Sequence, residues 1–424
     1  MTSGRIQVAT TGIQDVFLTG SPDITYFQKS FRRHTKFSLE LLDNVFNDKI
    51  SFGGTHRVII QRRGDLIRNI YLRVELPALP GADDQTLNRG YTDSIGHAMI
   101  EHADLIIGGQ TIQRITGEYM EIFDDMFVSE SQQAGVLALV GKTNTKNGLG
   151  AASAITAGTY GKYPRTFFIR LPFYFVRDDP LSIPLCALTR QEVEIEIKFR
   201  PLEQLIVGDF VSSIPPVGAI SIASLPVEYV FLDQPEIDYM KNSRIDYVIT
   251  QLQLAQTTVP GGVSSQSFRL EFNNPVKEFY FVVQNKSNVI TNEQTGNDWF
   301  NYTNPQNTNN LSNHQIESVK LDFNNETFLD SEVADTSFLY AIQPMNRHTR
   351  VPNRLFYNYS FALDPENYLP TGQVNMSRIQ NKILTVNFSE NTEDRYIRIY
   401  AKSYNVLRIE NGLAGVLFID NNFI

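Results

Sequence analysis

The chain has 424 residues, of which 42% are hydrophobic and 20% are charged, and its formal net charge is -9. This composition excludes an intrinsically disordered protein, and the negative charge excludes a surface that attracts nucleic acid over its whole extent. The single cysteine, Cys186, excludes an intrachain disulfide and suits a reducing compartment or a fold that needs no disulfides. A chain of this length predicts two or three domains, and two are favoured if the domains are rich in β-structure.

The N-terminal segment carries a helix start signal rather than a targeting signal. Residues 1–14 contain one arginine and no apolar run, so no signal peptide is expected. No stretch of the sequence is apolar for long enough to predict a transmembrane helix. Ser21, Pro22 and Asp23 provide an N-cap, a proline in the first turn and an acidic residue beside it. These residues predict a helix over 22–33.

The predicted helix would be basic on one face and aromatic on the other, where Phe27 and Phe31 lie. The basic positions are spaced i, i+3, i+4 and i+7, and they are Lys29, Arg32, Arg33 and Lys36. One interpretation is a solvated face with local ion pairs. The other is a contact with an anionic partner: a neighbouring subunit, lipid headgroups or nucleic acid. A membrane-burying helix would need a wider apolar face than two phenylalanines.

Period-two alternation predicts β-strands along most of the remaining chain. In "EVEIEIKF" (192–199), apolar residues alternate with charged ones, which puts one face on a core and the other in water. Further candidates include "THRVIIQ", "NIYLRVEL", "ADLIIGG", "VEYVFL", "YVITQLQL", "SFRLEF", "KEFYFVV", "SVKLDF", "KILTVNF" and "RYIRIYA". Many short strands separated by turn residues indicate antiparallel sandwiches. Two more helices are predicted, over 117–128 and 130–140.

The two halves of the chain contain similar segments in the same order. Each pair has a matching strand or turn pattern, and the pairs are 68–76 with 277–284, 103–112 with 318–328, 173–184 with 359–370, and 192–199 with 381–388. Four pairs in one order predict a duplicated domain with its joint near 220–240. Two segments, 141–162 and 285–313, are predicted to be long surface loops that bury little apolar area.

Motifs that would carry chemistry are few. "GVLALVGKT" (135–143) has five residues where a phosphate loop has four, and those five are apolar, so it indicates the end of a helix. The six histidines are scattered, which leaves no metal-ligand spacing. We therefore expect no catalytic residue, no cofactor and no metal. Sequons at Asn285, Asn301, Asn310 and Asn325 are candidate glycan sites, although secretory glycosylation is not expected without a signal peptide.

Long motifs in order resemble one protein family over about residues 12–418. They are "DVFLTGSPDITYFQKSFRRHTKF", "RRGDLI", "IGGQTI", "RLPFYFVRDDPLSIPLCALTRQEVEIEIKF", "VEYVFLDQPE", "YSFALDPENYLPTGQVNMSRIQN" and "IYAKSYNVLRIENGLAGVLF". The chain resembles the major capsid proteins of nucleocytoplasmic large DNA viruses, particularly the algal-virus type. The resemblance implies an all-β fold: two tandem eight-stranded antiparallel jelly-roll sandwiches with a few short helices. The expected organisation is an N-terminal arm with the amphipathic helix (1–36), a first jelly roll (37–225) and a second (226–424).

The resemblance also implies partners. Three copies would form a homotrimer with a nearly hexagonal outline, and trimers would contact neighbouring capsomers to tile an icosahedral shell around an internal membrane. Lys29, Arg32, Arg33 and Lys36 would then face the inside of the shell and contact minor capsid proteins or the membrane, with no sequence-specific contact to nucleic acid. The two long loops would lie on the outside, where they could carry glycans and contact the host surface. The protein would reside in the virion after assembly in the host cytoplasm.

Two other functions compete with this interpretation. A carbohydrate-binding β-sandwich protein would need exposed aromatic residues, and the only tryptophan, Trp299, lies in the Asn-rich segment beside Phe300 and Tyr302. An enzyme built on a β-sandwich is disfavoured because the sequence lacks a recognisable set of catalytic residues.

Overall fold

The computed structural model describes residues 2–29, 31–79, 89–142, 163–208, 220, 222–290, 297–307 and 313–418. Residues 1–36 and residues 37–424 form two separate compact units. The second unit contains the β-structure, and the first consists of short helices, turns and irregular segments.

The N-terminal unit differs from its prediction. It contains helix α1 (Ser3–Ala9) and helix α2 (Val16–Thr19), whereas the described residues of 22–33 form only turns, bends and irregular backbone, so the helix predicted there is wrong. Ser21 has a φ of 50°, in the left-handed region rather than the extended conformation usual for an N-cap. A short helix is stable mainly when a core covers its apolar face, but Phe27 and Phe31 are 99% and 82% exposed.

Residues 37–232 form the first sandwich. Its strands are β1 (Phe37–Val45), β2 (Thr55–Ile59), β3 (Leu66–Leu76), β4 (Arg89–Tyr91), β5 (Ile100–Ile107), β6 (Gln110–Thr116), β7 (Arg165–Arg170), β8 (Ile183–Pro184), β9 (Val193–Phe199), β10 (Ile206–Gly208) and β11 (Ile222–Leu232). One sheet has the order β1-β11-β3-β7, with β8 also paired to β3, and the other has the order β2-β9-β5-β6. Strands β4 and β10 pair separately.

The second sandwich follows. Its strands are β12 (Ile245–Val259), β13 (Ser265–Arg269), β14 (Pro275–Asn285), β15 (Ile316–Phe323), β16 (Glu326–Leu329), β17 (Tyr357–Ser360), β18 (Val374–Asn375), β19 (Lys382–Phe388), β20 (Arg395–Glu410) and β21 (Leu413–Val416). One sheet has the order β12-β20-β14-β17, with β18 on β14 and β21 on β20. The other has the order β13-β19-β15-β16.

Helices occupy the connections between strands. They are α3 (Ile95–Ala98), α4 (Gly117–Met126), α5 (Glu130–Val140), α6 (Gln234–Asn242), α7 (Lys286–Val289) and α8 (Gln343–Arg347), and a π-helical turn, Phe338–Ile342, precedes α8. The helices predicted over 117–128 and 130–140 are confirmed as α4 and α5. Helix α5 ends at Gly141, whose φ of 73° and close approach to the Phe167 ring both favour glycine.

The sequence pattern of β9 explains how a strand reaches the core. Its apolar residues, Val193, Ile195, Ile197 and Phe199, are almost completely buried, and the residues between them are less buried. Ile195 lies opposite Val58 of β2 and Leu105 of β5, so three strands contribute one row of the core. All pairings in both sandwiches are antiparallel, as the alternation predicted.

The two sandwiches repeat one topology. In the first sheets, β1, β11, β3 and β7 occupy the places of β12, β20, β14 and β17. In the second sheets, β2, β9, β5 and β6 occupy those of β13, β19, β15 and β16. Each half is therefore an eight-stranded jelly roll with a few added short strands. This arrangement confirms the duplication predicted from the four segment pairs.

The joint predicted near residues 220–240 falls where strand β11 ends and helix α6 begins. Strand β11 pairs with β1 from Ser224 to Leu232 and also pairs with β3. The expected boundary between residues 225 and 226 thus falls inside a strand of the first sheet. We propose that the joint follows Leu232, at helix α6. One buried core fills the first sandwich and extends into the junction, and a second core fills the second sandwich.

The core role of β9 can be tested by the substitution Ile195→Ala. Ile195 is 0% exposed, and removing its buried carbons should lower the free energy of unfolding by about 3 kcal/mol. Urea unfolding of the full chain measures the change. The exposed Glu192, just before the strand, supplies the control Glu192→Ala, which should change it by less than about 0.5 kcal/mol. Equal losses in both variants would contradict the assigned strand orientation.

Candidate functional site

The candidate site is the junction between the two sandwiches, where helix α4 is completely buried. The Thr116 side chain caps this helix, because its Oγ1 accepts a hydrogen bond from the Tyr119 amide at 3.2 Å. The helix nevertheless carries four carboxylates, Glu118, Glu121, Asp124 and Asp125, each at most 8% exposed. Buried carboxylates require cationic partners, and many of these come from the second half of the chain.

Arg354, just before β17, is the central cation. It is 3% exposed, and its Nε donates to Glu121 Oε1 at 2.6 Å while its Nη2 donates to Asp93 Oδ2 at 2.7 Å. Its Nη1 donates to the Phe300 carbonyl at 2.6 Å, and its backbone amide donates to Asp125 Oδ2 at 2.9 Å. Burial alone would lower the pKa of Arg354, but the facing carboxylates raise it overall. The guanidinium therefore stays charged and links the two sandwiches.

Cations of the first half complete the cluster around Glu121. Lys142 Nζ lies 2.6 Å from Glu121 and 2.8 Å from Asp125. The ring nitrogens of His97 lie 2.7 Å from Glu121 and 3.2 Å from Asp124. Burial disfavours a charged imidazole, yet these two carboxylates raise the pKa of His97 to about 9. Burial likewise opposes ionisation of Glu121, but the surrounding cations hold its pKa well below its usual value.

Glu118 forms a second cluster with β20. Arg398 binds it through two parallel bonds, Nε to Oε2 at 2.6 Å and Nη2 to Oε1 at 2.7 Å. The hydroxyl groups of Tyr400 and Tyr302 donate to the same carboxylate at 2.5 Å and 3.0 Å. Glu118 thus accepts four hydrogen bonds from the second half of the chain, which satisfies its oxygens without water.

Glu278 of β14 forms a third cluster. The carboxylate and the cations of this cluster all belong to the second half of the chain. It is 0% exposed and lies 3.3 Å from Lys402 and 3.2 Å from the His348 ring. Burial opposes its ionisation, but Lys402 and His348 lower its pKa overall. Phe127, which follows α4, packs against this cluster with its ring 4.5 Å from Lys402 Nζ. The clusters around Arg354 and Arg398 join the two halves and fix how one sandwich is oriented on the other.

Sequence reasoning missed this junction. "GEYMEIFDDM" showed its acidic residues, but the sequence did not show which cations they would meet. The i, i+4 pair Arg350 and Arg354 was also visible, and Arg350 Nη2 lies 3.0 Å from Asp125. More than 220 residues separate these partners. Without the fold, nothing in the sequence brings the cations to the acidic helix.

The predicted inner-face residues are described in the N-terminal unit by itself. Lys29, Arg32, Arg33 and Lys36 are all exposed. Because the expected helix is not formed, these residues do not share a helical face. Exposed aromatic side chains accompany them, with Tyr26 at 92% and Phe31 at 82% exposure. The segment therefore combines accessible positive charge with accessible apolar area.

The candidate glycan sites have different environments. Asn285 is 3% exposed, and its Oδ1 accepts hydrogen bonds from Gln315 and Asn391, so a glycan at Asn285 is incompatible with this fold. Asn301 is half-buried and its side chain accepts from Thr303. Asn325 is exposed in the turn between β15 and β16. Asn310 lies outside the described residues.

The segment 285–313 is not the apolar-poor loop that the sequence suggested. Phe300 and Tyr302 are 2% and 0% exposed. Trp299 is partly buried, its Nε1 donates to the Gln204 carbonyl at 2.7 Å, and the Arg200 guanidinium covers its ring at 3.9 Å. These contacts remove the exposed aromatic platform that the carbohydrate-binding alternative required. Most of the other predicted loop, from residue 143 to 162, lies outside the described residues.

In the described part of the chain, no helix is long and apolar enough to cross a membrane. Within the same residues, no group of three or more His, Cys, Asp or Glu side chains is arranged to hold a metal ion.

Comparison with known proteins identifies the family. The chain is 30% identical to the major capsid protein of Phaeocystis pouchetii virus, over 99% of this chain and 100% of that protein. It is also 30% identical to the major capsid protein of Pyramimonas orientalis virus, with the same coverage. The chain belongs to the major capsid proteins of large eukaryotic DNA viruses. It is therefore a structural protein of the virion shell and not an enzyme.

Two family models match this capsid protein, and they meet in the sequence where strand β11 ends and helix α6 begins. The model for the major capsid protein N-terminus matches residues 25–233, and the model for the large eukaryotic DNA virus major capsid protein matches residues 236–415. The PBCV-1 virus capsid structure aligns with a TM-score of 0.77 at 23% identity, over 93% of this chain and 100% of that chain. The Faustovirus major capsid protein aligns with a TM-score of 0.73 at 14% identity, over 95% of each chain. These likenesses confirm the double jelly-roll fold of the capsid protein.

The substitution Arg354→Ala tests the ionic junction. It removes the cation that the second half of the chain supplies to the buried Glu121 and Asp93, so the free energy of unfolding should fall by about 3–5 kcal/mol. Chemical denaturation measures the loss. Arg408→Ala is the matched control, because Arg408 binds Asp246 at the surface with a similar two-bond geometry. If both variants lost the same small amount of stability, the junction would not depend on Arg354.

The pKa of His97 predicts a pH dependence. Its value is raised from 6.5 to about 9, so its stabilising charge is fully present below about pH 6.5 and is lost as the pH rises through 9. Between pH 6 and pH 9, the free energy of unfolding should fall by roughly 3 kcal/mol because His97 loses its charge. A His97→Gln variant should be less stable at pH 6 and lose less stability between the two values. An unchanged pH profile in the variant would exclude this role.

Proposed function

We propose that three copies of the capsid protein form a trimer whose six jelly rolls give it a nearly hexagonal outline. The observation that carries this proposal is the repeated topology of the two sandwiches, held in one orientation by the buried ion clusters. Two like units repeated by a threefold axis give six like units in a ring. Such trimers can pack edge to edge and tile an icosahedral shell.

The trimer proposal is tested by the mass of the soluble protein. Size-exclusion chromatography with light scattering should give about three times the chain mass. The mass should stay constant on dilution, because trimer contacts between capsomer subunits are expected to be large. A monomer at micromolar concentration would contradict the proposal.

We infer that the N-terminal unit faces the inside of the shell and contacts minor capsid proteins or an internal membrane. Support comes from the accessible basic residues Lys29, Arg32, Arg33 and Lys36, and from the exposed aromatics beside them. Positive charge with apolar side chains suits an anionic, partly apolar partner. The net charge of -9 disfavours sequence-specific binding to the genome. Assembly in the host cytoplasm fits the single cysteine, and the exposed Asn325 is the position that best suits a glycan among the described candidates.

The charge-reversal variant Arg32→Glu with Arg33→Glu tests the role of the N-terminal unit. The residues belong to a unit separate from both sandwich cores, so the trimer and its melting temperature should be unchanged. Assembly of complete shells, counted by electron microscopy in infected cells, should fall by about tenfold or more. The control Arg32→Lys with Arg33→Lys keeps both charges and should assemble normally. Loss of the trimer itself would show a folding role instead.

A further inference from the structure

A cavity of about 360 Å³ opens between the two sandwiches beside the Glu118 cluster. Its walls combine arginines with aromatic side chains from both halves, chiefly Arg114, Arg200, Arg398, Trp299, Phe300 and Tyr396. A cavity of this volume is large enough for a small organic molecule.

Two of the three arginines already bind carboxylates, and both use the edge of the guanidinium formed by Nε and Nη2. Arg114 donates from Nε and Nη2 to the two oxygens of Asp104, at 2.7 Å and 2.6 Å. Arg398 uses the same two nitrogens to bind Glu118. This edge of a guanidinium carries two parallel N–H groups that match the spacing of carboxylate or phosphate oxygens.

Arg200 is held in place, but among the described residues its Nε and Nη2 groups have no acceptor. Its Nη1 donates to the carbonyls of Ala98 at 2.5 Å and Ile100 at 3.3 Å, and its guanidinium stacks on Trp299. Among the described residues, no acceptor binds its Nε or Nη2, and no carboxylate forms an ion pair with it. The backbone carbonyls and the indole ring thus fix the guanidinium, while its Nε and Nη2 groups stay available to donate hydrogen bonds to a ligand.

The charge balance of the cavity also favours an anion. Glu118 is satisfied by Arg398 and two tyrosines, and Glu101 pairs with Lys198 at 2.8 Å. Burial lowers the pKa of His102, so it is largely uncharged at neutral pH. Burial lowers the pKa of Arg200 to about 10, which still leaves it protonated at neutral pH. Within the described part of the chain, the cavity charge without a counter-charge is therefore the positive charge of Arg200.

We propose that this cavity binds an organic oxoanion, a carboxylate or phosphate carried on an apolar or aromatic body. Arg200 would bind the oxoanion through its Nε and Nη2 groups. The body would lie against the apolar wall formed by Leu254, Phe300 and Tyr396. Because both sandwiches line the cavity, a bound molecule would hold them together and stabilise the folded protein.

The only tryptophan of the chain lies in this cavity, so its fluorescence reports binding directly. The purified full-length protein would be titrated at constant ionic strength with phenyl phosphate, benzoate and inorganic phosphate. A saturable change in Trp299 fluorescence is expected with phenyl phosphate or benzoate. Phenyl phosphate should bind about tenfold more tightly than inorganic phosphate, because its ring is buried against the apolar wall.

Variants test the role of Arg200. Arg200→Gln should weaken phenyl phosphate binding by about tenfold or more, because a charge-assisted bond pair is lost. Arg200→Lys keeps the charge but not the two-pronged edge, so it should weaken binding less, and it serves if the glutamine variant does not fold. Arg57→Gln is the control, because Glu196 already fills the same edge of Arg57 outside the cavity. Its affinity should equal that of the wild type.

Three outcomes would overturn the proposal. One is no saturable fluorescence change with either aromatic probe in folded wild-type protein. Another is unchanged affinity in both Arg200 variants. The third is equal affinity for phenyl phosphate and inorganic phosphate, which would show that an organic body on the ligand does not contribute to binding. If no probe binds and the Arg200 variants fail only in shell assembly, the small-molecule site is excluded.

Discussion

The burial of helix α4 with all four of its carboxylates is the constraint on which the rest of the structure depends. A carboxylate without a partner in the interior costs several kcal/mol. Glu118 obtains its cationic partner only when Arg398, from the second half of the chain, is docked. Arg354 adds a cation of the second half to Glu121, which also contacts Lys142. The two sandwiches are therefore coupled, because each provides charges that the other requires. Hydrogen bonds between these charges fix the relative position of the two sandwiches at the junction.

This coupling suits a shell protein, because its function depends on a constant shape of each subunit. Separate cores fill the two jelly rolls, while hydrogen-bonded ions rather than apolar contact alone set the angle between them. Directional bonds tolerate little rotation, so a repeated building block can keep one outline. The same construction leaves Arg200 as an exception, a fixed guanidinium at the junction whose paired donors have no acceptor among the described residues.

Several sequence predictions failed where tertiary contacts outweighed local signals. Ser21-Pro22-Asp23 resembles a helix start, but no core covers Phe27 and Phe31, and a short helix without such cover does not persist. The Asn-rich segment looked like a surface loop, yet Phe300 and Tyr302 are buried at the junction. Asn285 matches a sequon, but its amide is bonded inside the protein. In each case the local pattern was real and its surroundings were not visible.

The sequence by itself determined the strands, the duplication and the family, because alternating apolar residues specify which side of a strand is buried and the same pattern occurs twice. It also predicted helices α4 and α5. The tertiary structure alone decided which charges meet, because ion pairs such as Arg354 with Glu121 join residues 233 positions apart. The tertiary structure also created the cavity beside Arg200, because a space between two sandwiches depends on how they dock and leaves no periodic signal in either one.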